Sequence, residues 1–169
     1  MINVVLFEPE IPQNTGNIMR TCAGTNTKLH LIKPFGFSLN DNKIKRSGVN
    51  YIEHCDYEVY DDLDDFFEKN QNGKNYYLTR YGKVPHTSFD YSNKEDQIYF
   101  IFGKESTGLP KELLSSNLDR CLRIPINSNI RALNLSNCVA ILIFEALRQQ
   151  DYPNLSKVEI QKGEDFLEK

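Results

Sequence analysis

The chain has no tryptophan, two methionines and three histidines among 169 residues. His30, His54 and His86 are scattered, and Cys22, Cys55, Cys121 and Cys138 include no pair at CxxC spacing. That removes the usual zinc and disulfide frameworks, so no metal is expected, and the cysteines read as small buried apolar residues. No apolar run is long enough to cross a bilayer, so no membrane partner is expected. The opening MINVVLFEPE lacks a basic leader and a small-residue cleavage site. It reads as a first strand, which puts the expected location in the cytoplasm. GxGxxG is missing, and with it the ordinary dinucleotide fingerprint; GxSxG is missing too. Gly103 and Gly108 have the spacing of a phosphate loop, but Leu109-Pro110 stands where Lys-Ser/Thr would follow, which excludes a nucleoside triphosphate site.

An excess of basic charge is also lacking, the formal net charge being −3. Its distribution is uneven. Residues 53–68 hold Glu53, Asp56, Glu58, Asp61, Asp62, Asp64, Asp65 and Glu68 with no Lys or Arg. Outside that block the chain is net positive, and residues 28–46 carry Lys28, Lys33, Lys43, Lys45 and Arg46 against Asp41 alone. A local positive face for nucleic acid is compatible with this pattern. So is a solvated surface with one acidic helix.

The length suits one compact domain. Strands are expected at Ile2–Phe7, Lys28–Lys33, Tyr76–Arg80, Gln97–Phe102 and Leu122–Ile126. Helices are expected at 14–24, entered through Asn14 or Thr15 and stopped near Gly24, and at 61–70. Two more are expected at 110–116, with Pro110 in the first turn, and at Leu135–Gln149. This alternation predicts an α/β fold with a mainly parallel sheet flanked by helices, over residues 1–155, followed by a polar tail at 156–169. Val139–Phe144, Ala146 and Leu147 wrap nearly the whole circumference of the last helix. Such a helix is buried on all sides, either at a subunit interface or inside a monomer.

Three segments concentrate polar residues at the C-terminal ends of strands, where α/β sheets bind ligands. IYFIFGKESTGLP (98–110) runs from a strand through a glycine-bounded loop into a helix. IPINSNIRALNLSN (124–137) collects Asn127, Ser128, Asn129, Arg131, Asn134, Ser136 and Asn137 just before the most apolar helix. EPEIPQNTGNIMR (8–20) follows the first strand. Taken singly, each also fits a plain turn or cap, and a lone helical Arg20 fits a surface residue.

Together and in order, the segments resemble the SPOUT superfamily of RNA methyltransferases. The match lies in Asn14-Thr15-Gly16-Asn17-Ile18 with Arg20, in Phe102-Gly103 with Glu105 and Gly108-Leu109-Pro110, and in Ile124-Pro125-Ile126 with Leu133-Asn134-Leu135-Ser136-Asn137. EPEIPQNTGNI and RSGVNY (46–51) are most similar to a branch that methylates the ribose 2′-oxygen of the tRNA wobble nucleotide. That nucleotide is a cytidine or a carboxymethylaminomethyl-uridine, with leucine tRNAs as the expected substrates. The resemblance implies S-adenosylmethionine as cofactor, a C-terminal deep trefoil knot, and a homodimer through the C-terminal helix. It implies cofactor contacts from Leu78, Gly103, Ile124, Ala132 and Leu133. It also implies a catalytic group of Arg20, Asn14, Glu105, Ser136 and Asn134, with Arg20 supplied by the other subunit. Lys45, Arg46, Lys104 and Arg131 are the expected RNA contacts. The branch carries Pro and Arg where this chain has Lys104 and Thr107, and often Tyr where it has Phe144. Two other readings stand beside this one: a superfamily methyltransferase acting on ribosomal RNA or another tRNA site, and a non-enzymatic RNA- or nucleotide-binding α/β module.

Overall fold

In a computed structural model, residues 1–40 and 42–168 are described. The elements run β1 (Ile2–Phe7), α1 (Pro12–Thr25), β2 (Lys28–Ile32), α2 (Asn42–Gly48), a 3-10 turn (Val49–His54), β3 (Tyr57–Tyr60) and α3 (Leu63–Lys69). They continue with β4 (Lys74–Leu78), β5 (Val84–Pro85), β6 (Ile98–Phe102), α4 (Lys111–Ser115), β7 (Cys121–Arg123) and α5 (Leu135–Gln149). The seven strands form one sheet in the order β3-β2-β1-β6-β4-β7-β5. Every pairing in it is parallel, so the expected α/β class with a parallel sheet is what the chain adopts.

The two central strands, INVVLF and IYFIF, are almost continuously apolar because helices cover both faces of the sheet. Alternation then divides each strand between two cores. Val4, Leu6, Phe100 and Phe102 face the side of α1 and α5, while Val5, Tyr99 and Ile101 face the side of α3 and α4.

Several boundaries differ from the sequence expectation. α1 starts at Pro12, with Ile11 at the N-cap and no side-chain cap from its own residue. Asn14 and Thr15 therefore lie inside the helix and are buried. β4 covers Lys74–Leu78, not Tyr76–Arg80, because its pairing with β6 begins at Lys74↔Ile98. β7 ends at Arg123, before Pro125, which has no N–H to give to a ladder. Pro110 is the cap of α4, and the helix begins at Lys111. The helix expected at 61–70 is α3, Leu63–Lys69, where the Asp62 side chain accepts from Asp65 N at 2.8 Å, while β3, earlier in the acidic block, was not expected. α5 matches the expected residues. Its Val139, Leu142, Ile143, Ala146 and Leu147 are buried, but Phe144 is 48% exposed in the single chain.

Two polar side chains, His30 and Asn3, sit deep in the sheet. His30 bonds Tyr60 Oη through Nδ1 at 2.8 Å and Asn3 Oδ1 through Nε2 at 3.1 Å. Burial, with Lys28 adding to it, lowers its pKa from 6.5 to about 4. The folded state therefore resists a proton that the unfolded chain accepts. This stability contribution is complete above pH 6.5 and is lost as pH falls towards 4. The loss should reach about 3 kcal/mol. Urea midpoints measured from pH 8 to 4 should fall more steeply for the native chain than for His30→Gln; parallel curves would contradict the assignment.

Candidate active site

The site begins with a carboxylate. Glu105, in the loop after β6, accepts from Glu10 N (2.9 Å), Ile11 N (3.2 Å) and Asn14 Nδ2 (3.1 Å). It thus takes up N–H groups at the entry to α1, where no local side chain does so. The ionised carboxylate only accepts, so Asn14 must turn its amide nitrogen towards it and its oxygen away. That oxygen accepts from Asn134 Nδ2 at 2.9 Å. Asn134 Oδ1 in turn accepts from Ser136 N (2.9 Å) and Ser136 Oγ (2.6 Å), capping α5. A single directed chain therefore joins Glu105, Asn14 and the Asn134–Ser136 turn, three segments far apart in sequence. Glu10 adds a parallel link, accepting from Ser106 N at 2.8 Å and Ser106 Oγ at 2.9 Å.

Glycine makes the Glu105 loop possible. A Cβ on Gly103 would lie 2.1 Å from the Gly108 carbonyl carbon, and Gly108 holds φ +76°. The loop closes on itself through Gly108 N donating to Lys104 O at 2.9 Å.

Beside this chain run two grooves, of about 600 and 370 Å³, that share a wall including Leu78, Arg131, Ala132 and Leu133. Ile124 lines the larger, while Gly103, Glu105, Asn14 and Asn134 line the smaller. All five residues expected to hold the cofactor thus border one continuous region. Thr79 and Tyr81 line both grooves as well; the sequence reading missed them, although their place just past β4 was the available signal.

The remaining expected residues lie apart or are already engaged. Arg20 is exposed on α1 and borders neither groove; its guanidinium carbon is 5.2 Å from the ring centroid of Tyr51. Lys45 and Arg46 are exposed on α2. Lys104 is ion-paired with Glu8, whose hydrogen bond raises its pKa. Arg131 is exposed on the shared wall. Among the described residues no group of His, Cys, Asp and Glu is placed to hold a metal ion. The four cysteines are free and buried. Burial pushes the Cys55 thiol to about 12 and the Cys138 thiol to about 11, so neither is a thiolate near neutral pH.

Residues 1–144 match the SpoU rRNA methylase family. The chain belongs to this family. A Geobacillus stearothermophilus relative is 60% identical over 155 residues, covering 92% of this chain and 99% of the relative. A Yersinia pestis relative, named tRNA (cytidine(34)-2′-O)-methyltransferase, is 40% identical over 159 residues, covering 90% of this chain and 96% of its own length; the Geobacillus protein carries the same activity name with a provisional qualifier. A solved structure concerned with 2-OH methylation of C/U34 on tRNA superposes with a TM-score of 0.83 at 36% identity, over 89% of this chain and 97% of that one.

Within this SpoU-family site, Glu105 should carry structural as well as functional weight. Glu105→Ala leaves two backbone N–H groups and the Asn14 amide without their acceptor. The expected loss is about 1–3 kcal/mol of unfolding free energy by urea titration, with weaker cofactor binding. Asn134→Ala should cost about 1 kcal/mol through the lost α5 cap. A Glu105→Ala protein as stable as the native one would show that the carboxylate does not organise α1.

Proposed function

We propose that the protein transfers a methyl group from S-adenosylmethionine to the ribose 2′-hydroxyl of the tRNA wobble nucleotide, C34 or carboxymethylaminomethyl-U34, in leucine tRNAs. The carrying observation is the directed chain from Glu105 to Ser136 at the edge of the groove, in a family member whose relatives are named for this reaction.

The groove suits the proposed cofactor. Leu78, Ile124 and Leu133 offer apolar walls for a planar base, and the main chain around Gly103 and Ala132 offers polar groups at its edge. When bound, S-adenosylmethionine supplies an electrophilic methyl group on a positively charged sulfur. Asn134 and Ser136 border the approach of the ribose, and the acceptor-only Glu105 holds Asn14 and Asn134 in one orientation. Arg20 is a free cation for this purpose: among the described residues it forms no ion pair with a carboxylate. Arg20 either stabilises the alkoxide as charge develops, with the hydroxyl proton passing to solvent, or acts as base after giving up its own proton, and positioning supplies much of the rate.

Arg20 borders neither of the two grooves, which supports a homodimer that presents it to the partner's site. The half-exposed Phe144 supports α5 as part of that interface. Lys45, Arg46 and Arg131 supply phosphate contacts, while Lys104, tied to Glu8, supplies less. The family fold also implies the trefoil knot within residues 1–155. The exposure of Val158, Ile160, Phe166 and Leu167 supports treating 156–169 as a tail. Among the described residues no helix is long and apolar enough to cross a membrane, and we place the enzyme in the cytoplasm.

The family's rRNA description favours one second reading, a ribosomal RNA target. Incubation with labelled cofactor, bulk tRNA and rRNA, followed by mapping of the product, should locate label at tRNA nucleotide 34; label confined to rRNA would replace the wobble assignment. No label in either, from folded protein that binds cofactor, would leave only a binding module. Arg20→Ala should lose at least tenfold in kcat while keeping cofactor affinity. Phe144→Glu should shift sedimentation from dimer towards monomer and lower activity in parallel.

A further inference from the structure

Beyond the phosphate contact of Arg46, RSGVNY (46–51) has no role so far, yet its placement is specific. α2 rests on α1 at a glycine: a Cβ on Gly16 would lie 2.6 Å from Ile44 O and 2.8 Å from Ser47 Cβ. Ile44 is 1% exposed, so this seat is also sealed by the core. Four residues beyond Gly16 on α1 comes Arg20, and four residues beyond Ser47 comes Tyr51. The close approach therefore brings the Tyr51 ring over the Arg20 guanidinium, 5.2 Å from carbon to centroid.

A carboxylate partner would occupy the N–H edge of the guanidinium with paired hydrogen bonds. An aromatic face engages the charge from above and leaves the N–H donors available. We propose that Tyr51 is a positioning residue for methyl transfer, holding Arg20 by its ring face so that the N–H groups stay free for the acceptor oxygen. This rests on Arg20 facing the acceptor hydroxyl. It gives Tyr51 a role through Arg20, without contact of its own to either substrate.

The test compares the native dimer with Tyr51→Phe and Tyr51→Leu. Nuclear magnetic resonance should show Arg20 side-chain signals shifted by the ring current in the native and Phe proteins and unshifted in the Leu protein. Turnover should fall about two- to fivefold in Tyr51→Leu and return in Tyr51→Phe, with KM for S-adenosylmethionine unchanged. Full turnover in Tyr51→Leu, or no ring-current shift in the native protein, overturns the proposal. If Tyr51→Leu fails to fold, a series of increasingly fluorinated phenylalanines at position 51 keeps the shape and weakens the ring face. Turnover should then fall stepwise, and a flat series overturns the proposal. Arg20→Ala at full rate would overturn the catalytic reading of Arg20 as well. An inactive Arg20→Ala beside a fully active Tyr51→Leu would overturn the positioning role alone.

Discussion

The Glu105 carboxylate is the constraint on which the site depends. It is an acceptor with no proton to give, and three donors from the α1 entry converge on it. Its acceptor-only character orients the Asn14 amide, which orients Asn134, which leaves one oxygen to cap α5 and hold Ser136. One ionised group thus sets the hydrogen-bond direction across loops that follow β1, β6 and β7. Because the chain is satisfied at each link, a break at one member leaves its neighbours with unpaired polar atoms, and their effects should not add.

The sheet makes that convergence possible. A parallel arrangement places the C-terminal ends of β1, β6, β4 and β7 on one side, so their following loops meet there. The rigid centre, where β1 and β6 are buried on both faces, leaves the loops free to specialise. Gly103 and Gly108 allow one loop to fold tightly over itself, and Gly16 allows α2 to lie against α1. The first closeness shapes the loop that borders the smaller groove. The second brings an aromatic ring to the cation assigned to the acceptor side.

Much of this was legible in the chain itself. The apolar runs at Ile2–Phe7 and Ile98–Phe102, the α5 boundaries, and the ordered polar segments each left a local signal. The entry to α1 was not legible. Asn14 looks like a cap by residue type, but the cap comes from Glu105, 91 residues away. β3 was hidden because it is four residues long, only Tyr60 is fully buried, and it lies inside the acidic block. Lys104 looked like an available cation until its neighbour Glu8 came into view. Arg20 by itself fitted a surface residue and gained a catalytic role only from the resemblance; the Tyr51 ring over it was visible only in the fold.

The sequence by itself determined what depends on residue type and short spacing: the class of fold, the family, the glycines that permit tight backbone approach, and the groups able to carry the chemistry. Tertiary structure decided which donor meets which acceptor, which lysine is neutralised, and which ring lies over Arg20. The physical reason is range. Strand alternation and helix periodicity are written within a few residues. A hydrogen-bond chain through Glu105, Asn14 and Asn134 exists only once the parallel sheet has brought distant loops to the same edge.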